Sequence, residues 1–204
     1  MSPVRLQVLL QTTLRQSVFA VFLNSSYLSS HSMVLDHRSD NSYVYDLRNL
    51  IAHAGLDMSL INEFYLVNGP GFFTGIRSGV MIVKAIYQIL KPRVFLVSSF
   101  AYLDAHIQTK PEHYGILIVG SQREGYFQEF SPQGQSKAVI LPYEKAREKA
   151  RSFPVFTDQE KYSIEWNLTY LQPKAVLSSQ AYEIADLKDL TPNYVRSEDE
   201  LFRS

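Results

Sequence analysis

Hydrophobic residues fall along this chain in two rhythms. Over residues 4–10, 17–23 and 27–35 they come in short runs separated by polar turns, the signature of strands. Leu6, Val8, Leu9 and Leu10 mark the first run, and Val18, Phe19, Ala20, Val21 and Phe22 the second. The second is almost wholly apolar, as in a strand covered on both faces, whereas the serine-rich third suits a sheet edge. Their short connections predict an antiparallel meander. From residue 43 the period becomes helical. Tyr43, Val44, Leu47, Leu50, Ile51 and Ala54 share one face, with Asn41 or Ser42 as N-cap and Gly55 as the stop. A short strand over 63–67 follows, then a long helix over 76–90, a buried strand over 94–97 and a helix over 100–107 capped by Ser98 and Ser99.

Residues 108–113 read as a linker. Beyond them, strands are predicted over 114–119, 125–130 and 136–141, a charged helix over 142–151 and a short strand over 153–156. A helix over 173–187 would turn Ala175, Val176, Ala181 and Ile184 inward, residues 191–196 would be extended, and 197–204 frayed. A meander followed by alternating helix and strand predicts an α/β fold. It divides into an N-terminal subdomain, 1–107, and a smaller C-terminal one, 108–204, whose last segment packs back. No repeat of fixed period is present.

The stretch from Asn68 to Gly79 sits at the centre of this order, as strand, tight turn and helix. Gly69 and Gly71 open backbone angles closed to other residues, and Pro70 stiffens the turn between them. Thr74 is placed to cap the helix through its hydroxyl. Gly75 and Gly79 lie one turn apart and let another backbone approach. The helix itself is apolar nearly all round: Ile76, Val80, Val83, Tyr87 and Leu90 form one stripe, and Met81, Ile82, Ala85, Ile86 and Ile89 most of the rest. Such a helix is covered on more than one side, either by its own domain or by a second chain.

Composition narrows the function. With 204 residues, 46% hydrophobic and 20% charged, the chain reads as a soluble globular protein. Its 20 basic and 20 acidic side chains cancel, which weighs against a chain that grips nucleic acid alone. Without cysteine there is neither a disulfide framework nor a thiolate metal site. No leader pattern and no membrane-length apolar run stands out, so a cytoplasmic protein that touches no membrane is expected.

Candidate chemistry is sparse. His31, His37, His53, His106 and His113 show no metal-binding spacing, and no metal or catalytic residue is expected. No G-x-S-x-G elbow occurs. The glycine loop lacks the Lys-Ser/Thr pair of a phosphate loop and adds Phe72 and Phe73 instead, so it reads as a structural turn built on Gly69, Pro70, Gly71 and Thr74. Tyr126, Phe127 and Phe130 follow Arg123 and could stack bases, though core packing is the simpler account. The charges over 144–151 read as a solvated helix face.

Gly69-Pro70-Gly71-Phe72-Phe73-Thr74-Gly75-Ile76-Arg77-Ser78-Gly79 resembles the signature G-P-G-S-F-T-G-L/I-R-x-G of the bacterial TsaB (YeaZ) proteins, departing at Phe72. Pro192-Asn193-Tyr194-Val195-Arg196 resembles that family's terminal P-x-Y-L/V-R segment. The resemblance implies an actin-like, ribonuclease-H-like ATPase fold of two subdomains. It implies an accessory, non-catalytic role in making threonylcarbamoyladenosine in tRNA: stabilising a TsaD-type transferase, beside a TsaE-type ATPase, and reaching tRNA only through the complex. Actin-like ATPases cradle phosphate in two hairpin turns and hold magnesium through acidic residues. Here Gln11 stands where the family has aspartate in the first turn, and Gly120 in the second, so both carboxylates are missing. Thr12, Thr13 and Ser121 remain as hydroxyls for an anion, and a nucleotide would sit only at a composite interface. The family pairs its first two helices with another subunit's. On this sequence the contacts would come from Tyr43, Leu47, Leu50, Ala54, Gly75, Ile76, Gly79, Val80, Val83 and Tyr87, with a homodimer in isolation. The competing readings are a stand-alone actin-like phosphotransferase or ATPase, which would turn over magnesium nucleotide by itself, and a direct tRNA-binding module.

Overall fold

The computed structural model describes residues 4–34, 43–158 and 181–195. Its first sheet is built on the meander β1 (Leu6–Gln11), β2 (Gln16–Leu23) and β3 (Ser26–Val34). Asn24 and Ser25 turn between β2 and β3 at positive φ. Helix α1 (Tyr43–His53) ends before Gly55, whose φ of 71° stops it as expected. A 3₁₀ turn, Met58–Leu60, leads into β4 (Ile61–Val67), helix α2 (Phe73–Leu90), β5 (Arg93–Val97) and helix α3 (Ser99–Asp104). Strands β4 and β5 run parallel to β1, giving the order β3-β2-β1-β4-β5 with helical crossovers. This is the α/β arrangement that the alternation of elements predicts.

The second sheet comprises β6 (Tyr114–Val119), β7 (Glu124–Ser131), β8 (Gly134–Gln135), β9 (Val139–Pro142) and, after helix α4 (Tyr143–Lys149), β10 (Val155–Thr157). The order is β10-β6-β7-β8, with β9 also on β7. Of the strand expected over 136–141 only residues 139–141 are extended along β7, in β9, while β8 lies at the turn before it.

Side-chain alternation decides what each face of the first sheet covers. Val8, Leu10, Phe19, Val21, Phe64 and Leu66 point to α1 and α2, where they meet Leu47, Ile51, Val80 and Val83. Leu9, Ala20, Phe22, Tyr65 and Val67 point the other way, onto Phe100 and Tyr102 of α3 and onto Tyr114, Ile116 and Ile118 of the second sheet. A third cluster, with Phe127, Tyr143 and Ala146, fills the space under α4.

The C-terminal stretch returns to the first sheet. Tyr182–Glu183 forms β11, antiparallel to β5, where a helix was expected. Residues 173–180 of that expected helix and the frayed tail lie outside the described residues, and residues 184–186 are not helical. The guanidinium of Arg93 holds β11 in place by donating to both carboxylate oxygens of Glu183, at 2.8 and 2.6 Å, and also to Glu63 at 3.1 Å. Leu190 is fully buried among the residues beneath α1 and α2. No helix among the described residues is long and apolar enough to cross a membrane.

Candidate functional site

The glycine signature is a junction of four segments. The Asn68 N–H donates to Val97, and Asn193 donates to the Asn68 carbonyl at 2.8 Å. The Gly69 carbonyl accepts from the Ser99 N–H, also at 2.8 Å. Phe72 donates to the Thr13 carbonyl at 2.7 Å. The loop thus binds β5, the start of α3, the first hairpin turn and the C-terminal segment at once. Its glycines are needed for contact: a Cβ on Gly71 would overlap the Thr13 carbonyl, and one on Gly75 the Thr12 carbonyl. Gly69, Pro70 and Gly71 therefore form a turn as expected, the Gly69–Pro70 peptide being cis. Thr74 does not cap. Phe72 occupies the N-cap without a side-chain bond, and Thr74 lies inside α2, exposed.

The two hairpin turns lack free hydroxyls in the first and a carboxylate in either. Thr12 and Thr13 are fully buried. The Thr12 hydroxyl donates to the Gly75 carbonyl at 2.7 Å, and the Thr13 hydroxyl pairs with that of Ser99 at 2.8 Å. The first fastens the signature to the turn, and the second fastens the turn to the start of α3. Gln11 staples its own turn, its amide accepting from the Thr13 N–H at 3.1 Å and donating to the Gln16 carbonyl at 3.2 Å. In the second turn Ser121 is exposed, its hydroxyl accepting from the Arg123 N–H at 3.3 Å. A Cβ at Gly120 would stand 3.1 Å from the Tyr126 ring, so an aspartate there would press on that side chain.

One acid near these turns escaped the sequence reading. Asp158 follows β10, and its Oδ1 accepts from the Val119 N–H at 3.1 Å and from the Thr157 hydroxyl at 3.3 Å. Its Oδ2 is sealed from solvent without a partner. Burial raises its pKa, against the N–H groups of Val119 and Arg15, which favour the charged form. The only sequence signal was an acid at a strand end, too common to single out. No group of three or more His, Asp or Glu that could hold a metal occurs among the described residues.

Helices α1 and α2 each present two faces, and most of the docking residues implied by the family resemblance lie on the inner one. Tyr43, Leu47, Gly75, Ile76, Gly79, Val80 and Val83 are buried against their own sheet, and Leu50, Ala54 and Tyr87 are half-buried. The seven are covered within the chain, so a charge placed at Val80 would test folding rather than docking. The outer face carries Val44, Tyr45, Met81 and Ile89, at 48%, 62%, 65% and 81% exposure. Between the helices, Tyr43, Val44, Tyr45, Arg48, Ser78, Met81 and Ile82 line an open cavity of about 630 Å³. Near all-round hydrophobicity hid this division, because Arg77, Ser78, Lys84 and Gln88 are too few on α2 to set an outside apart by period alone.

No family model and no curated protein matches the chain. Solved structures do. YeaZ from Pseudomonas aeruginosa superposes with a TM-score of 0.70 at 18% identity, over 94% of this chain and 100% of that one. The chain has the YeaZ fold. A second structure, titled an uncharacterized protein with similarity to peptidase YeaZ from Pseudomonas aeruginosa, gives 0.70 at 19% identity over the same shares. The likeness spans both sheets, since 94% of this chain is covered.

Proposed function

We propose that this chain is a TsaB-type docking subunit without a reactive centre of its own. It stabilises a TsaD-type transferase that installs the threonylcarbamoyl group on tRNA adenosine, with a TsaE-type ATPase as a further partner. The observation that carries the reading is the outer face of α1 and α2, where Val44, Tyr45, Met81 and Ile89 stay exposed although the inner faces are already filled. Large apolar side chains left exposed on one helix pair mark an interaction surface. The signature match, the YeaZ fold and the committed hydroxyls of Thr12 and Thr13 support the same reading. With the partner absent, two copies would share the face. Reconstitution tests the role. Transferase, ATPase, tRNA and ATP should form threonylcarbamoyladenosine efficiently only when this chain is added, while the isolated chain should not hydrolyse magnesium nucleotide. Full activity without the chain, or nucleotide turnover by the chain alone, would overturn it.

A further inference from the structure

The outer face of α1 and α2 is basic as well as apolar. Helix α2 contains Arg77 and Lys84 and no acidic residue, and α1 adds Arg48 against Asp46. The face thus carries three cations to one carboxylate on a chain whose charges otherwise cancel. Arg77, Met81, Lys84 and Gln88 recur at three- and four-residue spacing, so two cations flank the exposed Met81 on one side of the helix. Arg48 lines the cavity beside Met81. None of the three cations takes part in an ion pair among the described residues. Asp57, beyond the C-terminal end of α1, is held below the usual carboxylate range chiefly by the Ser59 hydroxyl and amide, with Arg48 a lesser cause. Arg77 rests over the Phe73 ring, 5.2 Å from its centre, which holds its charge near the helix surface.

We infer that this face selects a partner surface that is apolar at its centre and carboxylate-bearing around it, in preference to a second copy of the chain. The inference rests on the docking reading above and names the partner's chemistry. A symmetric self-contact brings the same basic patch against itself, and like charges across an interface are penalised. An acidic partner removes that repulsion and neutralises cations that form no ion pair among the described residues.

The test uses the full chain and an Arg48→Glu/Lys84→Glu variant, whose face imitates the acidic partner. Sedimentation should show wild type and variant pairing about tenfold more tightly than either pairs with itself, with the advantage shrinking at high salt. Circular dichroism confirms that the variant is folded; should the pair of substitutions unfold it, Arg48→Glu alone serves. A mixed pair no tighter than the self-pairs, or an advantage indifferent to salt, overturns the inference. The two failures are separable. Equal association of all three pairs sinks charge selection and leaves docking standing. No association of any pair, together with undiminished binding of the transferase by Met81→Glu, sinks the docking reading itself.

Discussion

A methyl group at Gly75 would collide with the Thr12 carbonyl, and the carbonyl cannot retreat because its residue is pinned through its hydroxyl to that same glycine. Gly75→Ala is therefore expected to destabilise the chain by about 3 kcal/mol, the upper end for overpacking. A urea midpoint matching wild type would refute this. Asp158 makes an opposite kind of prediction. Burial holds its carboxyl above the ordinary carboxylate range, so the folded chain binds that proton more firmly than the unfolded chain does. Stability then falls as pH rises from the unfolded carboxylate range, about 4, through the raised folded pKa, and levels off above it. Asp158→Asn cannot ionise, so its melting temperature should gain on wild type across that window. A difference that stays constant with pH would contradict the assignment. The two residues differ in how far the sequence disclosed them. The glycines stood in a dense pattern of turn residues, whereas Asp158 matters only through the Val119 and Arg15 amides that distant segments bring to it.

At the scale of the element, α1 and α2 divide their residues between a filled core and an open groove. Leu47 is fully buried, so Leu47→Ala should cost about 2–5 kcal/mol. Met81 projects outward, so Met81→Ser should stay within about 0.5 kcal/mol of wild type. Equal losses in denaturant unfolding would mean that the outer face is packed after all. The helices were legible from their period, and α2 from its length. Their facing was not, since Val80 and Met81 are equally apolar and only the sheet beneath decides which is covered. β11 was lost for a related reason. Its two residues follow Ala181 in a run with helical spacing, and the edge of β5, with Arg93 reaching to Glu183, overrides that local preference.

Across the whole molecule, the signature loop is where distant parts of the chain around the first sheet meet. The loop ties the first hairpin turn, α2, α3 and the C-terminal segment together through backbone bonds of 2.7–3.1 Å. The fold was readable from the alternation of elements because each run kept its period. The state of the phosphate turns was only half readable: the missing carboxylates at Gln11 and Gly120 showed in the sequence, but the capture of Thr12 and Thr13 by Gly75 and Ser99 joins residues more than sixty positions apart. A chain that fastens its own turns and leaves a greasy, basic helix pair uncovered is suited to holding another protein. Binding of the labelled TsaD-type transferase to wild type and to a Tyr45→Glu/Met81→Glu variant measures that directly. The account predicts a stable complex with wild type and a loss of about 2 kcal/mol or more with the variant, at an unchanged melting temperature. Undiminished binding by the folded variant would contradict it.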